Sequence, residues 1–181
     1  MVVQMQAATM TALKDGRKYS DAVRPVPDTS PAKISELLMG LPLFHDIETW
    51  ELQVLSRNFR LYSVDAGGAL FSEGDEGDFM ALIVEGAADL TKQNDPKGPV
   101  KVATEGVGRT LGEMALIDGE PRSATARFAK SGKVLLLTRQ SFEGIMNEHP
   151  RLGIDLLWRI CRVLSQRLRR TTGSLSERLS S

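Results

Sequence analysis

The spacing of apolar residues changes twice along the chain, and the changes divide it. Ile34, Leu37 and Leu38 recur at helical intervals after Ser30-Pro31 and stop at Gly40, which predicts a first helix. Beyond the bend Leu41-Pro42-Leu43-Phe44, residues Leu52, Leu55 and Phe59 mark a second apolar face. Asp46, Glu48 and Glu51 stand where a helix N-terminus favours negative charge. From Arg60 to Thr138 the texture becomes short runs of Val, Leu, Ile and Phe separated by glycine-rich turns. Strands are expected at about Arg60–Val64, Ala69–Ser72, Phe79–Glu85, Ala87–Gln93, Val100–Thr104, Ala124–Ala129 and Gly132–Thr138, a set that closes as an antiparallel jelly-roll barrel.

Helical spacing returns after Arg139, first in Phe142, Ile145 and Met146, then past His149-Pro150 from Arg151 to about Arg170. At ~100° per residue, Ile154, Leu157, Trp158, Cys161, Leu164 and Leu168 share one face of this last helix, and Leu156, Ile160 and Val163 an adjacent one. The combined arc is wider than one barrel can bury. Either both stripes fold onto the barrel and the first helices, or one is covered by a second copy, and the expectation is a homodimer through helix 151–170.

Residues 1–30 lack sustained periodicity, and Pro25, Pro27 and Pro31 argue against a regular ladder, so a flexible N-terminal arm is expected, with a short helix over about Met5–Lys14 as the alternative. The domain is placed at 31–170, with helices at 31–59, the barrel at 60–138 and C-terminal helices at 139–170, followed by a tail at 171–181. Lysine plus arginine equal aspartate plus glutamate at 23 each, so no whole-chain field points to nucleic acid or an anionic membrane. Cys161 is the single cysteine, which excludes an internal disulfide and fits a reducing compartment. His45 and His149 cannot form a compact metal site. No apolar run reaches the ~18 residues of a bilayer span and the start lacks a secretion signal, so a cytoplasmic location is expected.

The chemistry concentrates in Leu111–Ala126, LGEMALIDGEPRSATA. Gly112, Ala115 and Ala124 permit close approach to backbone N–H groups, and a helical turn at Glu113–Leu116 would aim such groups at an anion. Arg122 offers a planar fork that stays ionised and can donate two hydrogen bonds to a phosphate diester. Glu113 beside a phosphate makes electrostatic sense if it accepts from a ribose hydroxyl. The plain alternative is a Glu113–Arg122 salt bridge beside a turn, with the small residues serving strand packing.

The whole string resembles the phosphate-binding cassette of cyclic-nucleotide-binding domains of the catabolite-activator and protein kinase A regulatory-subunit type. There, Gly-Glu, a small residue and Leu precede Pro-Arg, small residues and Thr. Leu41–Phe44, Phe71–Asp78 and Val84–Gly86 extend the resemblance across about Leu41 to Arg170. It implies a mainly β fold, an eight-stranded antiparallel jelly roll with N-terminal helices and a long C-terminal helix. It places ligand contacts at Gly112, Glu113, Met114, Ala115, Arg122, Ser123 and Ala124, with no catalytic residue, metal or cofactor. The regulatory ligand would be cyclic AMP, with cyclic GMP open because the Ser123 hydroxyl suits either a phosphate or a guanine amino group. By analogy with lid contacts, Arg162, Ser165 or Gln166 would reach the base. Leu116 would move against Phe142, Ile145 and Met146.

The expected activity is a non-enzymatic sensor that relays ligand occupancy to a dimer or an unidentified downstream protein. Residues 171–181 are too few for a helix-turn-helix, so the competing reading is a transcription regulator lacking its DNA-binding domain. A cyclic-di-GMP-binding or ligand-free scaffold of the same fold is a further alternative. A cupin-like metalloenzyme wants a His and carboxylate cluster that these two histidines do not provide.

Overall fold

The computed structural model describes residues 21–93, 96 and 98–179; the Met5–Lys14 alternative therefore lies outside the described residues. In chain order the elements are β1 (Val23–Pro25), α1 (Pro31–Met39), a 3-10 turn (Pro42–Phe44) and α2 (Thr49–Asn58). Strands β2 (Phe59–Val64), β3 (Ala69–Phe71), β4 (Phe79–Glu85), β5 (Ala88–Gln93), β6 (Pro99–Glu105) and β7 (Thr110–Leu111) follow. The chain continues through α3 (Glu113–Asp118), β8 (Thr125–Phe128), β9 (Gly132–Thr138), α4 (Arg139–Glu148) and α5 (Pro150–Leu179). Among the described residues all strand pairs are antiparallel, in a five-stranded sheet β1-β2-β9-β4-β7 and a four-stranded sheet β3-β8-β5-β6. Strands β2 to β9 are the eight of the jelly roll.

Helix starts follow local chemistry. The Ser30 hydroxyl accepts from Lys33 N at 3.2 Å, with Pro31 in the first turn of α1. Glu48 and Glu51 form a reciprocal capping box at the start of α2. The acidic cluster noted in the sequence thus marks a true N-terminus.

Strands β4 and β9 are apolar at consecutive positions because both of their faces are covered. Ala81, Ile83, Val134 and Leu136 point between the sheets, where they meet Phe71, Leu111, Ala126 and Phe128. Met80, Leu82, Leu135 and Leu137 point the other way, into a second core with Leu38, Phe44, Leu55, Leu116, Phe142, Ile145, Leu152, Leu156 and Ile160. Period-two alternation hides in such a sequence because neither face is polar.

Three expectations are corrected. The arm assigned to residues 1–30 contributes β1, whose Val23, Arg24 and Pro25 pair with Val64, Ser63 and Tyr62. Pro25 is tolerated because it ends a strand at the sheet edge. The two-residue strand β7 escaped notice because Thr110–Leu111 is too short to show alternation. The tail assigned to 171–181 is helical as far as Leu179. Residues 171–179 hold no proline, and the Thr171 and Thr172 hydroxyls bond back to the carbonyls of Arg167 and Leu168 at 3.0 and 2.9 Å.

Leu135, buried at the centre of β9 between β2 and β4, tests the two-sided layer. Leu135→Ala should lower unfolding free energy by about 2–5 kcal/mol in urea titration. A loss below about 1 kcal/mol would mean that the helical layer does not depend on this face.

Candidate functional site

The site is built around two charges that the fold has taken out of water. Glu113 and Arg122 are only 2% and 3% exposed. The Arg122 guanidinium lies between two rings, 4.3 Å from the centroid of Phe71 and 4.3 Å from that of Phe79. Its Nη1 donates to the Gly112 carbonyl at 2.9 Å. Cation–π contact in a desolvated setting is worth about 2 kcal/mol, which offsets part of the cost of burial.

Gly112 is essential to this packing for two reasons. Its φ of 73° is left-handed. A Cβ there would stand 2.2 Å from Arg122 Nη1 and 3.2 Å from the Phe71 ring. The turn after β3 holds the arginine from its backbone side: Arg122 N donates to Asp75 O at 2.8 Å, and Gly74 N donates to Arg122 O at 2.9 Å. Asp75 is itself oriented by Ser72 N, 2.9 Å from its Oδ2. Phe71–Asp78, one of the stretches that extend the resemblance, is thus a cradle for Arg122. Gly77 completes it, since a Cβ there would fall 2.1 Å from that of Ala115.

Glu113 opens α3, which matches the expected helical turn and runs on to Asp118. Its Oε1 receives Arg167 Nη1 from α5, while Arg167 Nη2 donates to the Thr110 carbonyl and lies 3.6 Å from Glu105 Oε1. Among the described residues Glu113 Oε2 and the buried Thr110 hydroxyl have no hydrogen-bond partner. A buried carboxylate oxygen left this way is costly and marks a place where a donor would be held tightly.

The expected residues separate into groups. Gly112, Glu113, Ala115, Arg122 and Ala124 come together at the junction of β7, α3 and β8. Met114 and Ser123 lie exposed at its rim, with Ser123 Oγ 3.9 Å from Met114 Sδ. Leu116, Phe142 and Ile145 share the helical core, and Met146 packs against it. Arg162, Ser165 and Gln166 do not join the site; all three are exposed on the outer side of α5. Arg167 is the residue that reaches in. Four positions beyond Val163 and seven beyond Ile160, it extends the inward face of the helix.

Among the described residues no group of three or more His, Cys, Asp or Glu side chains could hold a metal, and no helix is long and apolar enough to cross a membrane. The model of the cyclic nucleotide-binding domain family matches residues 62–149. The chain belongs to that family. The cyclic nucleotide-binding-like protein from Brucella abortus is 30% identical, and the match covers 64% of this chain and 98% of that one with a TM-score of 0.55. A cyclic nucleotide-binding domain from Methylobacillus flagellatus is 28% identical with a TM-score of 0.76, covering 87% and 89%. Among curated relatives, a cyclic nucleotide-gated potassium channel of Mesorhizobium japonicum is 34% identical over 118 residues, 65% of this chain and 31% of the channel. The CRP-like cAMP-activated global transcriptional regulator of Mycobacterium tuberculosis is 25% identical over 145 residues, 80% of this chain and 62% of the regulator. The chain thus spans about a third of the one and three-fifths of the other.

Two glycines with φ of 73° and 84°, Gly112 and Gly74, separate backbone strain from crowding, because a Cβ at Gly74 would meet nothing within 4 Å. Both alanine variants should lose about 1–2 kcal/mol to the left-handed backbone. Gly112→Ala should lose at least ~1 kcal/mol more in parallel urea titrations, through displacement of Arg122. Equal losses would show that the guanidinium has room to move.

Proposed function

We propose that this domain is a non-enzymatic sensor of a cyclic nucleoside monophosphate, cyclic AMP ahead of cyclic GMP. The observation that carries the reading is Glu113, a buried carboxylate with one oxygen held by Arg167 and the other without a donor among the described residues. A ribose 2′-hydroxyl is the donor such an oxygen suits, and Arg122 supplies positive charge and N–H groups for the cyclic phosphate. The backbone of Gly112 to Ala115 and the Ser123 hydroxyl complete the contacts. Arg167, bonded to Glu113, takes the place first expected of the outward-facing lid residues.

Relay to a partner requires the ligand to bind two arrangements of α4 and α5 with different affinity. Leu116 shares the helical core with Phe142 and Ile145, so a shift of α3 has a packed route to both helices. The outer face of α5 supports pairing with a second copy: Ile154, Trp158 and Leu168 are 50%, 63% and 68% exposed and alternate with half-buried Leu157 and Leu164. Ile154, Cys161 and Leu168 recur every seven residues, and Leu157 and Leu164 stand three after the first two, the a/d spacing of a two-stranded coiled coil.

Calorimetric titration with cyclic AMP, cyclic GMP and cyclic di-GMP tests the site. Arg122→Ala should weaken cyclic mononucleotide binding by at least ~1.5–3 kcal/mol. Unchanged affinity in that variant would refute the phosphate role. Pairing is tested by sedimentation equilibrium: Trp158→Asp should shift a dimer to monomer while monomer stability changes by only about 0.5 kcal/mol, as befits an exposed position. A wild-type chain that stays monomeric at high concentration would rule out pairing through α5.

A further inference from the structure

We propose that Arg139 is the tie that makes the cassette helix α3 and the α4–α5 pair move as one body; its part in signalling rests on the sensor reading above. Arg139 is the first residue of α4, a place where positive charge opposes the helix dipole. It is not needed as a cap, because the Thr138 hydroxyl already accepts from Ser141 N at 3.1 Å. The guanidinium acts on another element. Its Nη2 donates to the Ala115 carbonyl within α3 and lies 3.4 Å from the Gly77 carbonyl.

The same residue also grips the cradle of Arg122. Arg139 N donates to Asp78 O at 2.6 Å, so backbone and side chain together hold Gly77, Asp78 and Ala115. Ala115 O also accepts Gly119 N at 3.1 Å, which places the guanidinium at the closing turn of α3, where partial negative charge gathers. An arginine unfavourable to its own helix is thereby favourable to the one across from it. Downstream, α4 joins α5 at a close crossing, where a Cβ on Gly153 would fall 2.5 Å from Met146 Sδ. Apolar packing in the core that Leu116 shares with α4 permits sliding; charge-assisted hydrogen bonds to fixed carbonyls have direction and do not.

Hydrogen exchange of the full chain, with Arg139→Ala beside wild type, tests the tie in two arms. Without ligand, exchange at residues 115–119 should quicken roughly tenfold in the variant, while the first turn of α4, relieved of an unfavourable charge, holds or slows. Unchanged protection of 115–119 would overturn the proposal. At cyclic AMP concentrations that saturate both proteins by calorimetry, the variant should show less than about half of the wild-type exchange response at residues 152–160. A full response in the variant would equally overturn it. If Arg139→Ala does not fold, Arg139→Met, which keeps an aliphatic stem but removes the charge and the donors, goes through both arms with the same expected directions. Failure of the wild type to bind either cyclic mononucleotide would sink the sensor reading alone, and the ligand-free arm would still decide the tie.

Discussion

A guanidinium held between two phenylalanine rings is an expensive thing to bury, and much of the molecule is arranged around that fact. Isolated, a charge in such a place costs several kcal/mol. Arg122 is kept there by Phe71 and Phe79, by the Gly112 carbonyl, and by a turn that bonds both its backbone N–H and its carbonyl. Phe71, the turn and Phe79 lie within one stretch, residues 71–79, and Gly112 comes from another, so the arginine sits where β3, β4 and β7 converge. Its planar fork is at once a product of the fold and a preorganised donor set.

The cassette also lies where the two cores meet. Leu111 belongs to the layer between the sheets and Leu116, five positions on, to the layer beneath the helices. The reversal is made by Gly112, and α3 is the hinge between the layers in a literal, geometric sense. A change at the mouth of the barrel therefore has no need of a long path through the interior. It begins at the boundary of the helical layer.

Much of this is legible in the sequence. The glycine punctuation and apolar runs marked seven of the strands within a residue or two, and the Ser30-Pro31 and Glu48 to Glu51 signals marked both early helices. What escaped was non-local. Pro25 argues against a ladder unless an edge is known to be available, and Thr110–Leu111 is a strand only because β4 lies beside it. Arg139 carried no signal, since its partners are carbonyls more than twenty and sixty residues away. Arg167 did carry one. The 100° rule that grouped Leu156, Ile160 and Val163 also places Arg167 with them, and a charge on an inward stripe has a partner to reach. Arg162, Ser165 and Gln166 have the hydrogen-bonding capacity of lid contacts but not the direction.

Helix α5 holds Arg167 on its inner side and Trp158 and Leu168 on its outer side. A helix with side chains is a rod about 10–12 Å across, so a roll of ~20° about its own axis displaces both surfaces by about 2 Å in opposite senses. Such a roll would break the grip on Glu113 and re-aim the indole and leucine together. The two faces cannot be set independently: whatever register the outer stripe adopts fixes how far the inner arginine reaches, as the two ends of one beam share one pivot.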